Sequence, residues 1–203
     1  MPAGTRPLVN RFKAGILVLL APLLMVACSK PPPPAGAYDA FGKANCLPPI
    51  TLTDQRGDKV MLSALKGEPA LVDFIYTSCP GPCEVLTAKM ARVADRLGDE
   101  LGTKVRIISF SLDPARDNPA ALKDFAEKFN ANRHGWLFLT GSPATIDAAL
   151  KAFGVRRSKA PDGTIAHTLT VFLVGPGGRQ RRIYDSVEVK PAVMAGEAEA
   201  LAG

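Results

Sequence analysis

The sequence predicts an α/β fold in which a central mixed sheet is flanked by helices, with a hairpin extension ahead of it. Three observations carry this. Apolar, strand-like runs alternate with segments of helical periodicity. The run over residues 70–76 is almost continuously apolar, as expected of a strand covered on both faces. Near the end, residues 169–174 and 181–184 bracket Gly175-Pro176-Gly177-Gly178, a turn that closes an antiparallel pair.

Each element has its own grounds. Residues 50–54 and 59–62 flank Gln55-Arg56-Gly57-Asp58, a polar turn between two short strands, and make the leading hairpin. Ser63 is placed to cap one turn over 64–66 that Gly67 ends. After the strand at 70–76, the segment 82–97 carries Val85, Leu86, Met90, Val93 and Leu97 at helical spacing. Pro82 suits its first turn and Gly98 its stop. A second buried strand spans 105–112. Asn118 caps a helix that Pro119 begins and Phe129 ends, and 136–139 is a short strand. Ser142 and Pro143 open a helix that Gly154 closes, and a loop over 160–166 leads to the strand at 169–174. The tail over 191–201 is a short helix interrupted by Gly196. This order, β-α-β-α-β-α-β-β, is the thioredoxin-like arrangement with an insertion.

The amino terminus is built differently. Residues 1–27 contain Arg6, Arg11 and Lys13, no acid, and an apolar run over 14–27. Positive charge ahead of an apolar core marks a secretory signal. The run falls short of the roughly 20 residues a spanning helix needs, and Pro22 interrupts it. Leu24-Met25-Val26-Ala27-Cys28 resembles a bacterial lipobox, which implies that Cys28 is lipidated and becomes the new first residue. Residues 28–45 are then anchor and tether, with Pro31 to Pro34 favouring an extended spacer, and the thioredoxin-like domain occupies 46–203. The expected location is the periplasmic face of the cell membrane, held there by lipid. At 203 residues and 47% hydrophobic, the chain supports one domain with a sizeable core. Its net charge of +6 is spread among mixed signs, with no basic stripe interleaved with aromatics, which argues against a nucleic-acid partner.

Export puts the four cysteines, Cys28, Cys46, Cys79 and Cys83, in an oxidising compartment. Cys46 is expected to be buried and inert, the alternative being a second disulfide pairing. Cys79 and Cys83 join the end of a buried strand to the start of a helix. A helix N-terminus carries partial positive charge and unpaired N–H groups, which favour thiolate over thiol. The spacing puts two solvent-facing sulfurs about one turn apart on the same side, able to close a disulfide or hold one metal ion. Thiolate sulfur suits Cu(I), zinc or iron–sulfur clusters. Two sulfurs alone are a thin ligand set, so a third donor is needed. Of the two histidines, His134 falls in the polar loop 130–135 and is expected to be exposed. His167 stands just before the strand at 169–174. In a thioredoxin-like sheet, the loop entering that strand packs beside the cysteine turn, which brings an imidazole near both sulfurs. Asp113 and Asp117 are expected in surface or capping positions, the alternative being that they orient loops near the site.

Together these residues resemble the Sco/SenC family of copper-binding proteins. The likeness runs over about 46–186 and rests on four stretches. Val72-Asp73-Phe74-Ile75-Tyr76 leads into Cys79-x-x-x-Cys83. Ser109-Phe110-Ser111-Leu112-Asp113-Pro114 is followed by Arg116-Asp117. Trp136-x-x-Leu139-Thr140-Gly141 comes next, and His167-Thr168 opens a strand. Ala166 and Glu84 stand where the family often has Asp and Pro, and neither is a ligand position. The resemblance implies a thioredoxin-like fold and copper, as Cu(I) or Cu(II), held by Cys79, Cys83 and His167. It also implies copper delivery to the binuclear copper centre of cytochrome c oxidase, so the partner is the oxidase's copper-bearing subunit or another copper chaperone. Low coordination lets an incoming thiolate displace one ligand at a time, and oxidation of the cysteines to a disulfide abolishes binding.

A rival reading makes Cys79 and Cys83 the catalytic redox pair of a thiol–disulfide oxidoreductase that keeps copper-site cysteines reduced. Such enzymes usually have Cys-x-x-Cys, and they have no need of His167. A peroxidase reading would rest on Thr77-Ser78-Cys79, whose spacing is one residue short of Thr-x-x-Cys. A purely structural disulfide fits poorly with a solvent-facing pair at a helix start.

Overall fold

The chain in the computed structural model, which describes residue 1 and residues 47–185 and 188–203, begins with the expected hairpin. Strands β1 (Thr51–Thr53) and β2 (Lys59–Met61) pair antiparallel. The Asp54 carboxylate accepts the backbone N–H groups of Arg56 and Asp58 at 2.8 and 2.9 Å. That local capture is what reverses the chain over the polar turn. A single 3-10 turn follows at Leu62–Leu65. Ser63 does not cap it: fully buried Leu62 draws the turn's start inward and leaves Ser63 inside it.

The remaining elements alternate. They are β3 (Ala70–Ile75), α1 (Pro82–Leu97), β4 (Arg106–Ser111), α2 (Pro119–Lys128), β5 (Trp136–Leu139) and α3 (Pro143–Phe153). Then come β6 (Ser158–Lys159), β7 (Ile165–Ala166), β8 (Thr170–Val174), β9 (Gln180–Asp185) and α4 (Pro191–Ala202). The main sheet has the order β5-β4-β3-β8-β9. Strands β3, β4 and β5 run parallel, while β8 is antiparallel to both β3 and β9. This is the mixed, helix-flanked, thioredoxin-like sheet, and β3 at its centre is buried at all six positions. Thr53 and Thr140 exchange backbone hydrogen bonds of 2.8 and 2.9 Å, tying the hairpin to the end of β5.

Helix ends follow the sequence signals. Asn118 and Ser142 accept the N–H groups of Ala121 and Thr145, each ahead of a proline in the first turn. Side chains alternate between sheet faces. On one face Phe74, Phe110 and Phe172 surround Phe153 of α3, with ring centroids 5.6, 5.9 and 5.3 Å from it. Asp73, Ser109 and Phe138 are register partners on the other face, where Phe138 meets Phe125 of α2 at 6.3 Å. Helix α4 packs against α1 and runs unbroken through Gly196, where an interruption was expected. A helical glycine costs about 1 kcal/mol, and burial of Met194, Ala195 and Ala198 outweighs it.

The stretch expected to be a plain loop over 160–166 holds a second small hairpin, β6 paired antiparallel with β7. Residues 2–46, which include Cys28, Cys46 and the leader beyond its first residue, lie outside the described residues. Among the described residues, no helix is long and apolar enough to cross a membrane.

Candidate functional site

Strand β3 ends at Ile75, and a tight turn delivers the chain into α1. The Cys79 N–H donates to the Tyr76 carbonyl at 3.2 Å, and the Gly81 N–H to the Cys79 carbonyl at 2.9 Å. Gly81 has φ +109°, a left-handed value that only glycine takes without strain. Cys83 donates its backbone N–H to the Cys79 sulfur at 3.3 Å, and both thiols are free. The pair was expected to face solvent. Instead Cys79 is 8% exposed and Cys83 0%. Cys83 lies on the stripe of α1 that also buries Leu86, Thr87 and Met90, so helical spacing turns it inward. Burial pushes the Cys83 thiol well above its ordinary range, with the Cys79 sulfur adding to the rise. The lowering expected from the helix start is therefore reversed at this cysteine.

The imidazole arrives from the other end of the domain. His167 Nε2 lies 3.9 Å from Cys83 Sγ, and its ring stands edge-on to that of Tyr76, with centroids 6.3 Å apart. Its Nδ1 lies 3.0 Å from the Thr168 carbonyl. A carbonyl only accepts, so Nδ1 carries the proton and Nε2 presents its lone pair toward the sulfur. Burial lowers the pKa of His167, with the Thr168 carbonyl opposing, which favours this neutral, ligating form. The β6–β7 hairpin carries the ring here. The Ile165 N–H donates to the Tyr76 hydroxyl at 3.2 Å, fixing the hairpin's inner strand to the end of β3. His134 is exposed, as expected, and lines a separate hollow with Asp95, Asp99 and Arg133.

Two aspartates expected on the surface are buried. Asp117 accepts the Thr77 and Ser111 hydroxyls, both at 2.6 Å, and so joins the cysteine turn to the end of β4. Asp113 has a 4% exposed side chain and pairs with Arg116 and, at 3.7 Å, with Lys159. Hydrogen bonding to the strand ends and to the cysteine turn is what draws Asp117 in. Asp73 stood in the sequence only as part of the run leading into the cysteines, a single acid among apolar residues with no role assigned. It is fully buried, and desolvation pushes its pKa up to about 7.

The arrangement suits a soft metal ion. A metal with bonds of about 2.3 Å to sulfur and about 2.0 Å to nitrogen leaves those donors about 3.5 Å apart at a tetrahedral angle and about 4.3 Å apart when linear. The Cys83–His167 separation falls between. Among the described residues, no three such donors are already drawn into a closed cage. The Cys83 backbone N–H approaches the Cys79 sulfur and the Cys83 sulfur approaches His167, so Cys83 stands between the other two residues. A cleft of about 280 Å³ opens alongside, walled by Tyr76, Cys79, Pro80, Ile165, His167 and Leu169.

Comparison with known proteins identifies the family. A family model described as SCO1/SenC matches residues 39–203. The chain is 42% identical over 147 residues to the SCO1 protein homolog of Bacillus subtilis, an alignment covering 70% of this chain and 75% of that protein. Among solved structures, ScoI of Bradyrhizobium japonicum with copper bound superposes with a TM-score of 0.69 at 31% identity, over 77% of this chain and 99% of that one. BsSco, described as a member of the Sco family of cytochrome c oxidase assembly proteins with a disulfide switch, gives 0.68 at 37% identity, over 79% and 95%. By fold, motif and family match, the chain belongs to the SCO1/SenC family.

Proposed function

We propose that this protein is a lipid-anchored copper chaperone facing the periplasm. One copper ion, Cu(I) or Cu(II), is its cargo, held by Cys79, Cys83 and His167 and passed on for assembly of the binuclear copper site of cytochrome c oxidase. The recipient is the oxidase's copper-bearing subunit or another copper chaperone. The observation that carries this reading is the 3.9 Å approach of His167 Nε2 to Cys83 Sγ across 84 residues of chain. The copper-bound state of ScoI and the oxidase-assembly role of the family to which BsSco belongs support it. Residues 1–27 act as signal peptide, Cys28 takes the lipid, and residues 28–45 form the tether that lets the domain, 46–203, reach a partner.

Cys79 borders the cleft, whereas Cys83 is fully buried. An incoming thiolate therefore meets copper from the Cys79 side, and the protein gives up its ligands one at a time. The same pair supports a second reading, thiol–disulfide exchange that keeps copper-site cysteines reduced. Two free thiols, with the Cys83 N–H donating to the Cys79 sulfur at 3.3 Å, favour it, as does the disulfide switch of BsSco.

Anaerobic titration of the reduced protein with Cu(I) tests the assignment. One equivalent is expected to bind. His167→Ala should weaken binding by more than the roughly 10–100-fold typical of losing an outer-shell partner, while leaving disulfide reduction intact. Unchanged copper affinity in that variant removes His167 from the ligand set and leaves dithiol exchange as the function.

A further inference from the structure

We propose that Arg116 is a positioning residue: it clamps the hairpin carrying His167 and thereby sets how readily the imidazole joins the two sulfurs. This rests on the copper reading above and names what controls it. The need for a clamp follows from the size of the hairpin. Strands β6 and β7 pair through two residues each, and a two-stranded hairpin is marginal on its own in water. The placement of His167 must come from what holds the hairpin down.

Two contacts bracket it. Near the base, the Ile165 N–H meets the Tyr76 hydroxyl. At the tip, Arg116 Nη2 donates to the Gly163 carbonyl at 3.0 Å. Arg116 is itself oriented by Asp113, which accepts from its Nε. Asp113 also faces Lys159 of β6 at 3.7 Å, so one buried carboxylate sits between a cation of its own loop and a cation of the hairpin. A guanidinium serves two acceptors in different directions from one rigid plane, which an ammonium cannot do in the same geometry.

The loop that supplies Arg116 also grips the cysteines. The Arg116 and Asp117 N–H groups both donate to the Asp113 carbonyl, at 3.0 and 2.9 Å, which stiffens the stretch 113–117. Asp117 then accepts the hydroxyl of Thr77, two residues before Cys79. One short loop thus holds the thiol arm through Asp117 and the imidazole arm through Arg116. The three donors are not yet closed into a cage, and this loop fixes the gap between them. Arg116 is half exposed, with 46% of its side chain accessible, so its pairing contributes little to global stability. Its effect falls on the site.

The test uses the full-length chain in detergent, reduced and anaerobic, with Cu(I) affinity read by competition against a chromophoric chelator. Four proteins are compared: wild type, Arg116→Ala, His167→Ala and the double variant. Arg116→Ala is expected to lose about tenfold in affinity, the scale of one hydrogen bond from a charged donor. The double variant should be no weaker than His167→Ala, because the clamp acts only through the ring. In the metal-free protein, amide exchange should quicken over 158–167 in Arg116→Ala, with β4 and α2 unchanged. Unaltered affinity in Arg116→Ala, an equal loss whether or not His167 is present, or unaltered hairpin exchange each overturns the clamp. Unaltered affinity in His167→Ala is a separate result. It overturns the ligand reading, and the clamp's effect on copper with it, and it is recognised without any Arg116 variant.

Discussion

Asp73 carries the largest unmet electrostatic demand near the cysteines. It is fully buried in β3, and neither carboxylate oxygen has a hydrogen-bond partner. Desolvation pushes its pKa from 3.8 up to about 7, with the facing Ser109 opposing, and its charge adds to the rise at Cys83. The consequence for stability has a definite sign. Between pH 3.8 and about 7 the folded chain keeps a proton that the unfolded chain has released. The stabilising contribution is therefore whole below that window and declines as pH rises through it, levelling above about 7. A shift of this size corresponds to about 4 kcal/mol across the window. Asp73→Asn cannot ionise, so its stability relative to wild type should rise with pH by that order and then plateau. Urea denaturation of both proteins at several pH values measures the difference. A gap that stays constant from pH 4 to 8 would mean that folding does not raise the pKa of Asp73.

At the scale of elements, the sheet is held by rings on the face opposite Asp73. Phe153 of α3 touches Phe74, Phe110 and Phe172, which come from three adjacent strands. Phe153→Ala should cost about 3–5 kcal/mol, with Phe153→Leu costing less. Copper stoichiometry should not change, because the lost ring lies across the sheet from Asp73, the residue that adds to the charge felt by Cys83. Denaturant midpoints with a metal titration on the same samples check both halves. The elements that build this layer were legible in the sequence, since β3, β4 and α3 are long enough to show their periods and caps. The β6–β7 hairpin was not, because two-residue strands hold too few positions for alternation to register. The cysteines and His167 could be singled out by residue type and by their place at strand ends. The burial of Cys83 follows from the helical period that also buries Leu86 and Met90. That of Asp113 and Asp117 was not legible, because it depends on bonds such as Asp117 to Thr77, which join residues 40 positions apart.

For the molecule as a whole, a metal held by this site acts as a cross-link between distant parts of the chain. Cys79 and Cys83 sit where β3 meets α1, and His167 leads into β8 on the other side of β3. Only the folded chain brings them together, so copper should bind the native state in preference to the unfolded one. At free copper 1,000-fold above its dissociation constant, such linkage adds about 4 kcal/mol. For a domain of this size each kcal/mol moves Tm by roughly 2–4 °C, so a rise of about 10 °C is expected in the reduced wild type. His167→Ala should show a much smaller rise. Protein oxidised to the Cys79–Cys83 disulfide should show none, because both sulfurs are then committed to each other. Thermal unfolding of the three samples with and without copper decides the matter. An equal rise in the oxidised protein would place the metal at some other part of the chain and separate copper binding from the dithiol.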